Sequence, residues 1–178
     1  MNTLPIDRNA LLIRAPMLRR ALISGARRVI KHRDFLNKIN VFPVPDGDTG
    51  SNMAFTLGNV LSGALNRRAH STGELLRRVS EHAIDGARGN SGAILAQFFT
   101  GVSERIGTSP IASLEQMAQA IRHGADTARQ ALSEPKEGTI LSVITAFAAS
   151  LQTDSRGFHF KHWFENALIA ARKALANT

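Results

Sequence analysis

The chain has 178 residues, 43% hydrophobic and 20% charged, which argues against disorder and fits one domain large enough to bury a core. It contains no cysteine, so disulfides and thiolate-bound metals are excluded, and a reducing compartment fits. Its net charge is +8, and six of those charges fall in residues 1–35, where Arg8, Arg14, Arg19, Arg20, Arg27, Arg28, Lys31 and Arg33 face only Asp7 and Asp34.

Such a basic block can meet nucleic acid, an anionic membrane surface or an acidic partner, but its default reading is a solvated helix face. There is no zinc-finger spacing, no RNA-binding aromatic signature and no tyrosine, so a nucleic-acid partner is not expected. The Ala10–Ile13 run, flanked by Arg8 and Arg14, is too short for a signal peptide. No stretch is apolar for long enough to span a bilayer. The expectation is a soluble, cytoplasmic protein.

Residues 1–15 read as a leader with weak pattern, and 16–178 as the folded domain. From Pro16, Leu18, Leu22, Gly25 and Val29 recur at helical spacing, with arginines on the other faces. A short helical turn through Phe35, Leu36 and Ile39 follows. Met53, Leu57, Val60, Leu61 and Ala64 form one stripe of the next helix. Ser71-Thr-Gly-Glu74 has capping-box spacing and opens another, carrying Leu75, Leu76, Val79 and Ala83. After the turn Gly86–Gly92, Ile94, Leu95, Phe98, Phe99 and Val102 are apolar on most faces and predict a buried central helix. Ser109-Pro110 starts a helix running to about Leu132. Ser133–Thr139 is a loop, Ile140–Leu151 an apolar helix, Thr153–Gly157 a turn, and Phe160 to Ala171 the last helix. No strand pattern emerges. The fold class is all-α: an up-and-down antiparallel helical barrel or bundle of about seven to eight helices.

The segment Asn40-Val-Phe-Pro-Val-Pro-Asp-Gly-Asp-Thr-Gly-Ser-Asn-Met53 sets Asp46 and Asp48 one glycine apart in this basic chain. Pro43 and Pro45 keep the approach extended, Gly47 and Gly50 permit tight turns, and a helix begins at once. Paired acids beside a helix N-terminus make a seat for Mg²⁺ and phosphate. The same Asp-Gly-Asp is also ordinary turn chemistry, with Asp48 or Thr49 as an N-cap. Two further loops open helices with small or polar residues, Gly89–Gly92 and Glu137–Thr139, and alternate helices of an up-and-down bundle start at one end. Three such N-termini at one rim would concentrate anion-binding N–H groups. No phosphate-loop lysine motif and no dinucleotide fingerprint is present.

The Asn40–Met53 segment, with Gly86-Ala-Arg-Gly-Asn-Ser-Gly-Ala-Ile-Leu95 and Glu137-Gly-Thr-Ile-Leu141, resembles an ATP-binding domain shared by two bacterial systems. One is the L subunit of dihydroxyacetone kinase; the other is the kinase subunit of fatty acid kinase, which the Val-Phe-Pro-Val-Pro lead-in and the Gly-Ala-Arg-Gly-Asn-Ser-Gly form match better. The resemblance runs from about Leu18 to the C-terminus. It implies an all-α barrel closed at one rim around ADP or ATP with two Mg²⁺ ions. By that resemblance Asp46 and Asp48 are metal ligands, with Asn40 where the dihydroxyacetone kinase branch has a further metal-binding aspartate. Thr49, Asn52 and Met53 line the phosphate and base side, though a methionine there is more often simple core. Asn90, Ser91 and Gly92 contact phosphates, Thr139 closes the third loop, and Arg88 stabilises transferring charge or stays solvated. The six histidines receive no role.

The resemblance also implies that members continue past this point with a glycine-rich segment and a closing helix, so a fragment of a longer protein and a truncated member are both open. The implied reaction is Mg²⁺-dependent phosphoryl transfer from ATP to a fatty acid carboxylate carried by a separate fatty-acid-binding protein. The alternatives are a dihydroxyacetone kinase-type subunit, a non-catalytic nucleotide-binding module and a basic nucleic-acid binder. A homodimer is compatible with every one of these.

Overall fold

The computed structural model describes residues 12–41, 45–152 and 160–178. Among these, eight α-helices form an antiparallel bundle: α1 (Ala15–Lys31), α2 (Arg33–Ile39), α3 (Thr49–Asn59), α4 (Thr72–Asp85), α5 (Gly89–Ile106), α6 (Leu114–Gln130), α7 (Ile140–Gln152) and α8 (Phe160–Ala176). The expected leader's residues 1–11, Pro43 with its neighbours, and the expected turn Thr153–Gly157 lie outside the described residues.

The all-α expectation holds, with two local differences. Leu12–Arg14 (β1) and Ile111–Ser113 (β2) pair antiparallel, Ile13 opposite Ala112. Three-residue strands carry too few alternations to register as a pattern in sequence. Because Ile111–Ser113 is extended, α6 starts at Leu114 rather than at Ser109-Pro110. Ser113 is its N-cap in a full capping box with Gln116, whose side chain accepts from the Ser113 N–H at 2.8 Å. The box expected at Ser71 is half made. Ser71 Oγ accepts from the Glu74 N–H at 3.0 Å, while the Glu74 carboxylate reaches past it to the His70 N–H at 2.8 Å. That bond is the main cause holding the Glu74 carboxyl below its usual value.

The stripe from Met53 to Ala64 is helical but not uniformly α. Val60–Ala64 is a π-helical turn, closed by the Leu65 N–H on the Val60 carbonyl at 3.0 Å. It delivers Val60, Ala64 and Leu65 into a core shared by α1, α3, α4 and α5, with Leu57, Leu75, Val79, Ala96 and Phe99. α5 is the central helix its apolar pattern predicted, packing on α3, α4 and most extensively α6. Gly101 and Gly124 allow that last approach: a Cβ at Gly124 would lie 2.6 Å from the Phe98 carbonyl oxygen. α7 and α8 extend the bundle from α6. There Trp163 is buried with Leu151 and Ala118, and its indole N–H donates to the Leu151 carbonyl at 3.1 Å. Among the described residues α8 packs mainly on α7, and its Phe160, Phe164, Leu168, Ile169 and Leu175 are exposed. No helix of the described residues is long and apolar enough to cross a membrane.

Candidate functional site

The acidic loop descends from α2 and opens α3. Asn40, the C-cap of α2, donates its amide Nδ2–H to Asp46 Oδ1 at 2.6 Å. Gly47 takes a φ of 64°, a left-handed turn between the two acids. Asp48 occupies the N-cap position of α3, yet its side chain caps no N–H. The capping task falls to Asn37 on α2, whose Oδ1 accepts from the Ser51 N–H at 3.0 Å while its Nδ2 donates to Ser51 Oγ at 2.9 Å. The reading of Asp48 as a helix cap therefore fails. Both Asp46 and Asp48 are exposed carboxylates not spent on holding their helix. A Cβ at Gly50 would strike the Arg33 carbonyl oxygen, so glycine is what lets α2 lie this close across the first turn of α3.

The second loop meets the first. Gly89, at φ 54°, backs onto the Asn52 amide, which a Cβ there would strike. Ser91 is buried and donates its hydroxyl to the Thr49 carbonyl at 3.4 Å. Gly92 leaves room for Thr56, whose fully buried hydroxyl lies 3.0 Å from both the Asn52 and the Gly86 carbonyls. The first turn of α3 is thus latched to the turn that opens α5, and the two helix N-termini stand together. Neither has a cap from its own N-cap side chain; Asn37 takes the Ser51 N–H of α3, and the start of α5 has no side-chain cap. Asn90 is exposed in the first turn of α5. Arg88, the N-cap of α5, lays its guanidinium over the exposed Phe55 ring, 4.4 Å from the centroid.

The third loop lies near the start of α5. Leu141 in the first turn of α7 is buried with Ile94 of α5 and Ala128 of α6. Its polar groups are satisfied within the loop and by its neighbours on α6 and α7. Thr139 Oγ1 donates to the Lys136 carbonyl at 2.9 Å and accepts from the Leu141 N–H at 3.2 Å. Glu137 accepts from Ser142 Oγ at 2.5 Å and pairs with Arg129 at 2.7 Å, and these two partners, the serine first, hold its carboxyl below the ordinary value. No hydrogen bond among the described residues links this loop to Asp46 or Asp48, so the structure joins two of the three loops directly and sets the third beside them. Met53 sits apart from the rim's polar groups: it lines an apolar groove of about 240 Å³ with Leu22, Leu57, Leu95 and Phe99.

Among the described residues no group of three or more histidine, cysteine or acidic side chains gathers for a metal. Asp46 and Asp48 carry carboxylate oxygens and Asn40 an amide oxygen, the donor chemistry that suits Mg²⁺ with water and phosphate completing its shell. Sequence reasoning missed Asn37 and Thr56. Asn37 carried no signal, because its cap acts on a helix beginning twelve residues later. Thr56 carried one: a threonine inside the apolar stripe of α3 needs a buried acceptor.

Residues 43–178 match the family model described as DAK2 domain. The chain is 42% identical over 122 residues, 68% of its length, to an uncharacterized protein of Staphylococcus saprophyticus. It is 37% identical over 158 residues, 88% of its length, to one of Staphylococcus haemolyticus, and 34% identical over 158 residues to one of Staphylococcus aureus. The aligned regions span only 22% to 29% of those relatives' own lengths.

Proposed function

The chain belongs to the DAK2 domain family, within the dihydroxyacetone kinase superfamily, and on that premise we propose that it is a cytoplasmic phosphoryl-transfer module using Mg²⁺ and ATP. Its acceptor is a fatty acid carboxylate presented by a separate fatty-acid-binding protein, and its product an acyl phosphate. One observation carries the reading: two exposed carboxylates, Asp48 at the N-cap but relieved of capping by Asn37 and Asp46 held by Asn40, stand beside a latched pair of helix N-termini.

In this reading Asp46 and Asp48, with the Asn40 carbonyl oxygen, hold Mg²⁺. Bound there, the ion would offset charge on the transferring phosphoryl group. Main-chain N–H groups at the starts of α3 and α5, near Thr49, Asn90, Ser91 and Gly92, receive phosphate oxygens, and Asn52 fixes the spacing by packing on Gly89. Arg88 is stored on Phe55 at the same rim, a cation available to the developing charge. Thr139, whose hydroxyl is engaged in its own loop, borders the site rather than binding in it. The acceptor carboxylate is ionised at neutral pH, so its oxygen forms the new P–O bond as the bond to ADP breaks, and no general base is needed.

The test is to combine the protein with ATP, Mg²⁺ and a lipid-loaded carrier and assay for acyl phosphate. ATP binding without that product would exclude the fatty acid acceptor. The family match does not separate the two branches, so a dihydroxyacetone-loaded partner belongs in the same assay.

A further inference from the structure

The end of the bundle away from the acidic loop carries the opposite charge. The N-terminus of α1 and the turn between the π-helical segment and α4 enclose a pocket of about 310 Å³, lined by Ala15, Pro16, Arg19, Arg20, Arg68 and Ala69. The length of α3 and its π-helical extension, roughly 20 Å, separates it from Asp46 and Asp48.

Two arginines brace the turn from inside. Arg19 donates to the Leu65 carbonyl at 2.5 Å, and the buried Arg78 donates to the Arg68 carbonyl at 3.1 Å. Each keeps a buried Nε–H with no acceptor. An unmade bond at a buried charged donor is unfavourable, and such donors ordinarily have partners. None of the ion pairs among the described residues involves Arg19, Arg20, Arg68 or Arg78. Glu74 feels the Arg78 charge, but it bonds the His70 N–H and makes no ion pair with Arg78. Three guanidinium groups, Arg19, Arg20 and Arg68, thus line one concavity, with no ion pair to a carboxylate among the described residues.

We propose that this pocket is a second ligand site, for a phosphate or phosphomonoester dianion, independent of divalent metal and of the nucleotide rim. Guanidinium forks match phosphate oxygens in pairs, and the Arg19 guanidinium is already ordered by its bond to the Leu65 carbonyl. The volume suits a phosphorylated small molecule or a single lipid headgroup, whereas a nucleic-acid strand needs an extended groove.

The decisive experiment is a calorimetric titration of the protein with inorganic phosphate in EDTA, repeated with glycerol phosphate. Saturable uptake is expected, weakened at least tenfold by Arg20→Gln with Arg68→Gln. Both side chains are exposed, and the clamps on the Leu65 and Arg68 carbonyls survive their loss. Arg27→Gln with Arg28→Gln removes the same charge from an exposed stretch of α1 beyond the pocket and should leave the titration within twofold. Equal loss from both pairs would show diffuse charge attraction and overturn the site, as would no saturable uptake. Asp46→Asn with Asp48→Asn should leave it unchanged; a fall there would place the phosphate at the acidic rim instead. Vesicles containing phosphatidic acid identify the source. Retention that depends on Arg20 and Arg68 assigns a lipid headgroup, and glycerol phosphate uptake without retention assigns a soluble ligand.

Discussion

The two ends of the bundle hold opposite charges by different means. At the acidic end the backbone places the carboxylates: Gly47 turns the chain between Asp46 and Asp48, and Gly50 lets α2 press on α3. The supporting side chains are short amides, Asn37 and Asn40, acting within the same 14-residue neighbourhood. At the basic end long side chains reach across the fold, Arg19 spanning 46 positions to the Leu65 carbonyl and Arg78 holding the Arg68 carbonyl. Short carboxylates can be presented in pairs only where the main chain is fixed first. Guanidiniums carry their own reach and can converge from separate helices. The acidic end should therefore fail when its backbone is disturbed, and the basic end only when its side chains are cut.

The largest expected effect is the sharpest break between the ends. Asp46→Ala with Asp48→Ala should weaken Mg²⁺-dependent ATP binding by about a hundredfold or more, since both direct donors go. Calorimetry with Mg²⁺ and with chelator checks it, and unchanged binding in both conditions would remove metal from the account. Next, Gly89→Ala forces a methyl against the Asn52 amide in a left-handed backbone. It should destabilise the protein by about 1–3 kcal/mol, read as a lower Tm, and loosen nucleotide binding with it. Asn37→Ala leaves the Ser51 N–H without its cap and should lower stability by about 1 kcal/mol. Nucleotide affinity should fall with it, because the loop bearing both acids springs from that turn. The smallest effect concerns the flanking third loop. Glu137 is held below its ordinary carboxyl value by Ser142 and Arg129, so its stabilising contribution is present above the unfolded value and lost as pH falls through the folded one. Protection of the loop amides, relative to their intrinsic exchange rate, should fall as pH drops through the lowered Glu137 value in wild type, and Glu137→Gln should show that reduced protection already at neutral pH.

The helices were legible in the sequence because their apolar residues repeat at a period that burial enforces. α5 showed its central position through apolar residues on most faces, and α7 its full extent through the run from Ile140. What local pattern could not show was pairing at a distance. β1 and β2 are three residues each, and their register depends on a partner about a hundred positions away. The π-helical turn was hidden because Val60, Leu61 and Ala64 fit an α stripe as well as a π one. For the rim, residue types marked the acids and the glycines, and the structure adds why those glycines are needed. The roles of Asn37 and Thr56 were invisible as spacing, since each serves an element other than its own. Arg88 was legible as a loop cation; its perch on Phe55 depends on α3 and α5 meeting.

Trp163 has a use outside any chemistry. It is the chain's one tryptophan in a sequence lacking tyrosine, and its indole N–H is tied to the Leu151 carbonyl in the seam between α7 and α8. Intrinsic fluorescence therefore comes from a single chromophore positioned in neither charged pocket. A red shift in its emission would register the last helix lifting away, an optical gauge of docking that occupancy at either end leaves silent.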